Sequence, residues 1–72
     1  MPYVNVKMYP GRTKEQKEEL ARRILVATQE VCKLDDLHAT VVVVEEVERE
    51  EWPKTVAPEI EAKKDRVYGA GL

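Results

Sequence analysis

Seventy-two residues make one small domain, and a chain this short hides only about 60% of its unfolded surface, so a closed core of its own is marginal. Twelve basic residues against fourteen acidic ones leave a net charge of −2, which lacks the basic footprint of a nucleic-acid binder. One cysteine (Cys32) and one histidine (His38) exclude an internal disulfide and an N/S metal cage, so stability is expected from further copies of the same chain.

Residues 2–8 alternate, with Val4, Val6 and Met8 on one side and Tyr3, Asn5 and Lys7 on the other, the period of a half-buried strand. Pro2 is tolerated at a strand's first position, and Pro10-Gly11 breaks the strand with a turn. Thr13-Lys14-Glu15-Gln16 fits a capping box, and the helix behind it is predicted to run to about Lys33. Its apolar residues fall in two adjacent rows, Leu20, Ile24, Ala27, Val31 and Leu34 beside Ala21, Leu25, Thr28 and Cys32. Together they span roughly half the circumference, wider than one contact stripe requires. The helix is therefore expected to cover a sheet and to touch something else, with Cys32 as a buried small hydrophobe.

Asp35-Asp36 should end the helix, with His38 in a solvated loop, before a second strand over 39–47. The run Val41-Val42-Val43-Val44 shows no alternation, the mark of a strand covered on both faces. Strand, helix and strand imply a parallel crossover. One helix covers one face, and nothing later in the chain reads as apolar enough to cover the other, which again points to a second subunit. Residues 48–72 read as an irregular C-terminal segment with one or two helical turns within 59–66. The organisation is then 1–72 as a single domain, with 2–47 as its β-α-β core.

No G-x-S-x-G, H-E-x-x-H, Walker loop or G-x-G-x-x-G is present. No run approaches the roughly 18 apolar residues of a membrane span. The chain opens on no charged-then-apolar leader, and a free cysteine suits a reducing compartment, so a cytoplasmic location is expected. One chemical device remains, Pro2 behind Met1. Trimming of Met1 exposes a secondary amine, and an α-amino group titrates near 7.7–8.0 when unperturbed. An apolar pocket or a neighbouring cation lowers that value toward neutrality, which suits proton transfer from a carbon acid.

Pro2 opening a short strand, then Gly11-Arg12-Thr13-x-x-Gln16-Lys17 and a long helix, then a valine-rich strand, resembles the 4-oxalocrotonate tautomerase family. The resemblance covers residues 2 to about 47 without a gap and extends loosely to Trp52. It implies an α+β fold of β-α-β units, with two parallel strands and one long helix, whose four-stranded sheet is completed by dimerisation. It also implies a homo-oligomer, usually a hexamer of three dimers, and a cofactor-free isomerase. In that family the amino-terminal proline moves a proton between the enol (dienol) and keto forms of a small unsaturated carboxylic acid.

Carried over by position, Pro2 matches the catalytic base and Arg12 the arginine that grips a substrate carboxylate, a task suited to the guanidinium fork. Trp52 falls near an aromatic residue that walls the pocket, after a one-residue insertion; its ordinary reading is a core or interface anchor. Thr40 occupies the place of a second substrate-binding arginine and offers one hydrogen bond without charge, while Arg49 lies in the next loop. This departure leaves two alternatives open: a hydratase, dehalogenase or decarboxylase with Pro2 as acid, or an inactive assembly subunit. Small-molecule carboxylates are the expected partners, with neither nucleic acid nor membrane.

Overall fold

The computed structural model describes residues 1–35 and 39–71. In chain order they form β1 (Tyr3–Met8), α1 (Lys14–Cys32), β2 (Val41–Glu46) and α2 (Trp52–Ala62), followed by a 3-10 turn at Lys64–Arg66. The β strands lie side by side in parallel, in register from Tyr3 opposite Val41 to Met8 opposite Glu46. The ladder runs past both ends: Val41 N–H donates to the Pro2 carbonyl at 3.1 Å, and Val47 N–H to the Met8 carbonyl at 2.8 Å. The β-α-β unit with two parallel strands and a long helix is thus the fold. The expected position of His38 lies outside the described residues.

The turn that releases the chain from β1 needs Gly11, whose φ of 125° lies where a side chain is strained. α1 then starts on the anticipated capping box. Gln16 N–H donates to Thr13 Oγ1 at 3.1 Å, and Thr13 N–H donates to Gln16 Oε1 at 2.8 Å. The helix ends on Lys33 in the left-handed conformation, with Leu34 N–H reaching back to the Gln29 carbonyl at 3.0 Å. The Gln29 carbonyl also accepts from Lys33 N–H, so this six-to-one bond closes the last turn of the helix.

Strand alternation sorts the sheet into two faces. Val4, Val6, Met8, Val42, Val44 and Glu46 share one, and α1 lies on it, since Lys17 of α1 pairs with Glu46 at 3.0 Å. Asn5, Lys7 and Val43 share the other, and here the sequence expectation is corrected. The segment after residue 48 is not irregular throughout: Trp52–Ala62 form α2, a longer helix than the one or two turns expected, and it lies against part of that face, while residues 67–71 have no regular structure. Lys7 Nζ donates to Glu59 Oε2 at 2.8 Å, and Val56 is buried. The two prolines hid this helix. Pro53 sits in the first turn, where its missing N–H costs no hydrogen bond, and only Pro58 interrupts the ladder.

Burial in the single chain is slight. Among the described residues only Val56 (5% exposed) and Thr40 (7%) are buried, and no large side chain is fully enclosed. The wide apolar face of α1 stays partly uncovered, with Val31 80% exposed, and Cys32 is exposed where a buried thiol was expected. That correction follows from the same geometry: a two-stranded sheet is too narrow to cover half the circumference of a helix. None of the described helices is long and apolar enough to cross a membrane.

The capping box fixes where α1 begins. Thr13→Ala should therefore lower stability by about 1 kcal/mol, read as an earlier urea midpoint with an unchanged slope.

Candidate active site

The parallel ladder separates the residues that the sequence singled out into two groups. Pro2 stands at the start of β1, half-buried, with its carbonyl held by Val41 N–H and Met1 projecting outward at 91% exposure. Thr40 directly precedes Val41, the residue that bonds Pro2, so Pro2 and Thr40 meet at one end of the sheet. The Thr40 hydroxyl is shielded from solvent and has no hydrogen-bond partner among the described residues.

Arg12 lies beyond the other end of β1. Six strand residues at about 3.3 Å each put it about 20 Å from Pro2. One copy of the chain does not bring these two side chains to one small substrate. Arg12 is exposed, and the loop that carries it is tied down on both sides. Thr13 is bound into the capping box, and Gly11 N–H donates to Glu46 Oε2 at 3.2 Å. The other oxygen of Glu46 accepts from Lys17 Nζ at 3.0 Å. The Lys17 hydrogen bond, followed by that of Gly11, holds the Glu46 carboxyl below its ordinary range.

Trp52 joins the Arg12 end rather than the Pro2 end. Its ring meets that of Tyr9 edge-on, with centroids 4.8 Å apart and planes inclined by 69°. The Arg49 guanidinium carbon lies 4.3 Å from the centroid of the Tyr9 ring, a cation–π contact that leaves the hydrogen-bonding edge of the fork available. Arg22, Arg23 and Arg66 are ion-paired, whereas Arg12 and Arg49 have no carboxylate partner among the described residues. Two uncommitted arginines and an aromatic pair at one end of a small sheet make an arrangement able to receive an anion with an unsaturated body. Among the described residues no group of three or more His, Cys, Asp or Glu side chains is placed to hold a metal ion.

Beside this end, the face opposite α1 opens into a groove of about 620 Å³ between β1 and α2, lined by Asn5, Lys7, Trp52, Val56, Glu59 and Ile60. The Lys7 hydrogen bond lowers the Glu59 carboxyl and raises the lysine in turn, so both remain charged at neutral pH. Sequence reasoning missed Tyr9, Glu46 and this Lys7–Glu59 pair. The pattern Glu45-Glu46 closing a valine strand, opposite Lys17 in the Gly-Arg-x-x-x-Gln-Lys stretch, was the available signal for the second of them.

Comparison with known proteins follows the same line. The family described as "Tautomerase enzyme" matches residues 2–56. A "Probable tautomerase" of Xylella fastidiosa is 37% identical over 68 residues, covering 93% of this chain and 82% of that protein. A "Probable tautomerase" of Bacillus cereus is 40% identical over 52 residues, covering 72% and 84%. A "2-hydroxymuconate tautomerase" of Bacillus subtilis is 38% identical over 52 residues, covering 72% and 82%. No solved structure matches the chain at a significant level.

The Lys7–Glu59 pair ties α2 to β1 in a pH-dependent way. Because the Glu59 carboxyl lies below its ordinary 4.5, the pair contributes fully above that pH and is lost as pH falls through the lower folded-state value. Trp52 is the sole tryptophan and starts α2, so its fluorescence should change in acid with a midpoint below 4.5. Lys7→Met should move that midpoint up toward the ordinary value.

Proposed function

The chain belongs to the tautomerase family and is an isomerase, and from that premise we propose that Pro2, freed by removal of Met1, is its general base. The observation that carries this reading is the contrast at the amino terminus. Pro2 is anchored through its carbonyl to β2, while Met1 is almost wholly exposed, so trimming Met1 exposes the amine without disturbing the ladder. With Met1 attached, the Pro2 nitrogen is a tertiary amide with no basicity. The substrate class is a small unsaturated 2-hydroxy acid in its enol or dienol form. The amine takes the hydroxyl proton, the electron pair closes the C=O bond and shifts along the conjugated chain, and the resulting ammonium returns a proton to carbon. Atoms and charge balance, and no cofactor enters the cycle.

Charge development on the substrate needs a cation, and in one chain Arg12 stands about 20 Å from Pro2. We therefore propose that the site forms between copies, with Pro2 of one chain facing Arg12 of another. The near absence of a closed core supports association. Dimers that complete a four-stranded sheet, gathered into a hexamer, are the assembly this reading expects. Arg12 then binds the carboxylate. Arg49 supplies the second positive charge that Thr40 lacks, and Trp52 with Tyr9 walls the unsaturated body from water. Thr40 contributes a single neutral hydrogen-bonding group beside Pro2.

Three measurements test this reading. The mass of the mature protein should correspond to a chain beginning at Pro2. Acetylation of that amine should abolish turnover of 2-hydroxymuconate and of the enol of phenylpyruvate, and Pro2→Ala should cost about 10²- to 10⁴-fold in kcat. Unchanged turnover would sink the assignment. Rate should rise with pH through the amine titration; a fall through it would instead select the acid role of a hydratase or decarboxylase.

Thr40→Val separates structure from function at the same end of the sheet. A valine of nearly the same shape removes a buried hydroxyl without a partner, so stability should be unchanged or up to about 1 kcal/mol higher. If Thr40 serves the reaction, kcat should nonetheless fall several-fold.

A further inference from the structure

Resting on the reading of Arg12 as the carboxylate anchor, we propose that Glu46 is the positioning residue for Arg12, clamping the loop that presents its guanidinium to substrate. The loop leaves β1 at Met8, and Met8 is in register with Glu46, the last residue of β2. The carboxylate thus stands where the loop begins. One of its oxygens holds Gly11 N–H at 3.2 Å, next to Arg12 in the chain, and the other holds Lys17 Nζ at 3.0 Å, in the first turn of α1. Gly11 is also the point where the backbone enters the left-handed region, with φ at 125°, so the bond restrains the most permissive residue of the loop. On the other flank the reciprocal bonds of Thr13 and Gln16 fix the start of the helix. Arg12 thus sits between two tethered residues.

The charge balance sharpens the argument. A carboxylate bonded to the residue next to an exposed arginine would ordinarily be expected to pair with it. Glu46 does not: Lys17 balances its charge, both of its oxygens are occupied, and Arg12 is left without a carboxylate partner among the described residues. Glu46 therefore orders the loop while leaving the guanidinium for a substrate anion. A fork held in place loses less freedom on binding than one on a loose loop, and this advantage appears in substrate affinity rather than in the proton transfer itself.

The test compares the trimmed full-length protein with Glu46→Ala, Glu46→Gln, Arg12→Ala and the double variant Arg12→Ala/Glu46→Ala. Each is assayed on 2-hydroxymuconate and on the carboxylate-free enol of phenylacetaldehyde. Glu46→Ala should raise KM for the carboxylate substrate about tenfold, with kcat within twofold and turnover of the uncharged enol unaffected. Glu46→Gln, which keeps an acceptor for Gly11 N–H, should restore part of that loss. In the Arg12→Ala background the second substitution should add less than twofold.

A fall in kcat on both substrates, or a full additive effect without Arg12, would show a merely structural role and overturn the proposal. So would an unchanged KM in Glu46→Ala. Binding of muconate followed by Trp52 fluorescence reads the same affinities without turnover. A parent protein that binds muconate but turns over nothing would refute the tautomerase reading of Pro2 and still decide the role of Glu46.

Discussion

Parallel pairing of β1 with β2 is the constraint on which the rest of the molecule depends. A parallel pair cannot be joined by a hairpin, so the chain must cross from one end of the sheet to the other, and α1 is that crossing. The same pairing decides what meets what. Residues that start the two strands come together, which sets Thr40 beside Pro2. Residues that end them come together, which sets Glu46 beside the loop carrying Gly11 and Arg12. Pro2 and Arg12, the proposed base and anion anchor that flank β1, are therefore held at opposite ends of the sheet, and no side-chain rotation closes a gap of about 20 Å.

The charged residues do unequal work within this frame. Glu19 accepts from Arg22 and Arg23 on the outer surface of α1. Those two hydrogen bonds, Arg22 first, draw its carboxyl down to about 2, yet all three groups remain open to solvent. Such an exposed cluster contributes little to folding. Lys17–Glu46 and Lys7–Glu59 are more sheltered and join elements distant in sequence, one fastening α1 to β2 and the other α2 to β1. Their value is geometric. Each fixes the relation of a helix to the sheet, on opposite faces, and each stands close to a residue of the candidate site.

Much of this was legible from pattern. Two-residue alternation gave β1, the capping box gave the start of α1, and the valine run gave β2, because in each case a local rule and the tertiary structure agree. α2 was illegible because Pro53 and Pro58 read as breakers. Only the tertiary context, with Val56 buried and Glu59 paired to Lys7, shows why a helix interrupted by proline is kept. Cys32 was misread for a related reason. Helical periodicity identifies an apolar face but not the width of what lies against it, and a two-stranded sheet covers less than that face offers. Pro2, Arg12, Thr40 and Trp52 could be singled out as candidates from their positions in the sequence. Their division between the two ends of the sheet was not legible, since it follows from the parallel register.

That division explains how so short a chain can belong to an enzyme family at all. A site built wholly within one copy would need a base, an anion anchor and a water-excluding wall gathered in one cleft, and 72 residues with two buried side chains among those described offer no such cleft. If Pro2 is the base and Arg12 with Trp52 and Tyr9 the anchor and wall, as proposed, each chain carries two half-sites at opposite ends of its sheet. The proposed association would then complete both halves at once and cover the apolar surface that a single copy exposes on α1 and at the sheet's edge. On this reading the deficit of core and the incompleteness of the site have one physical cause and one remedy. A variant that keeps the β-α-β fold but blocks association should lose catalysis even with Pro2, Arg12 and Glu46 intact.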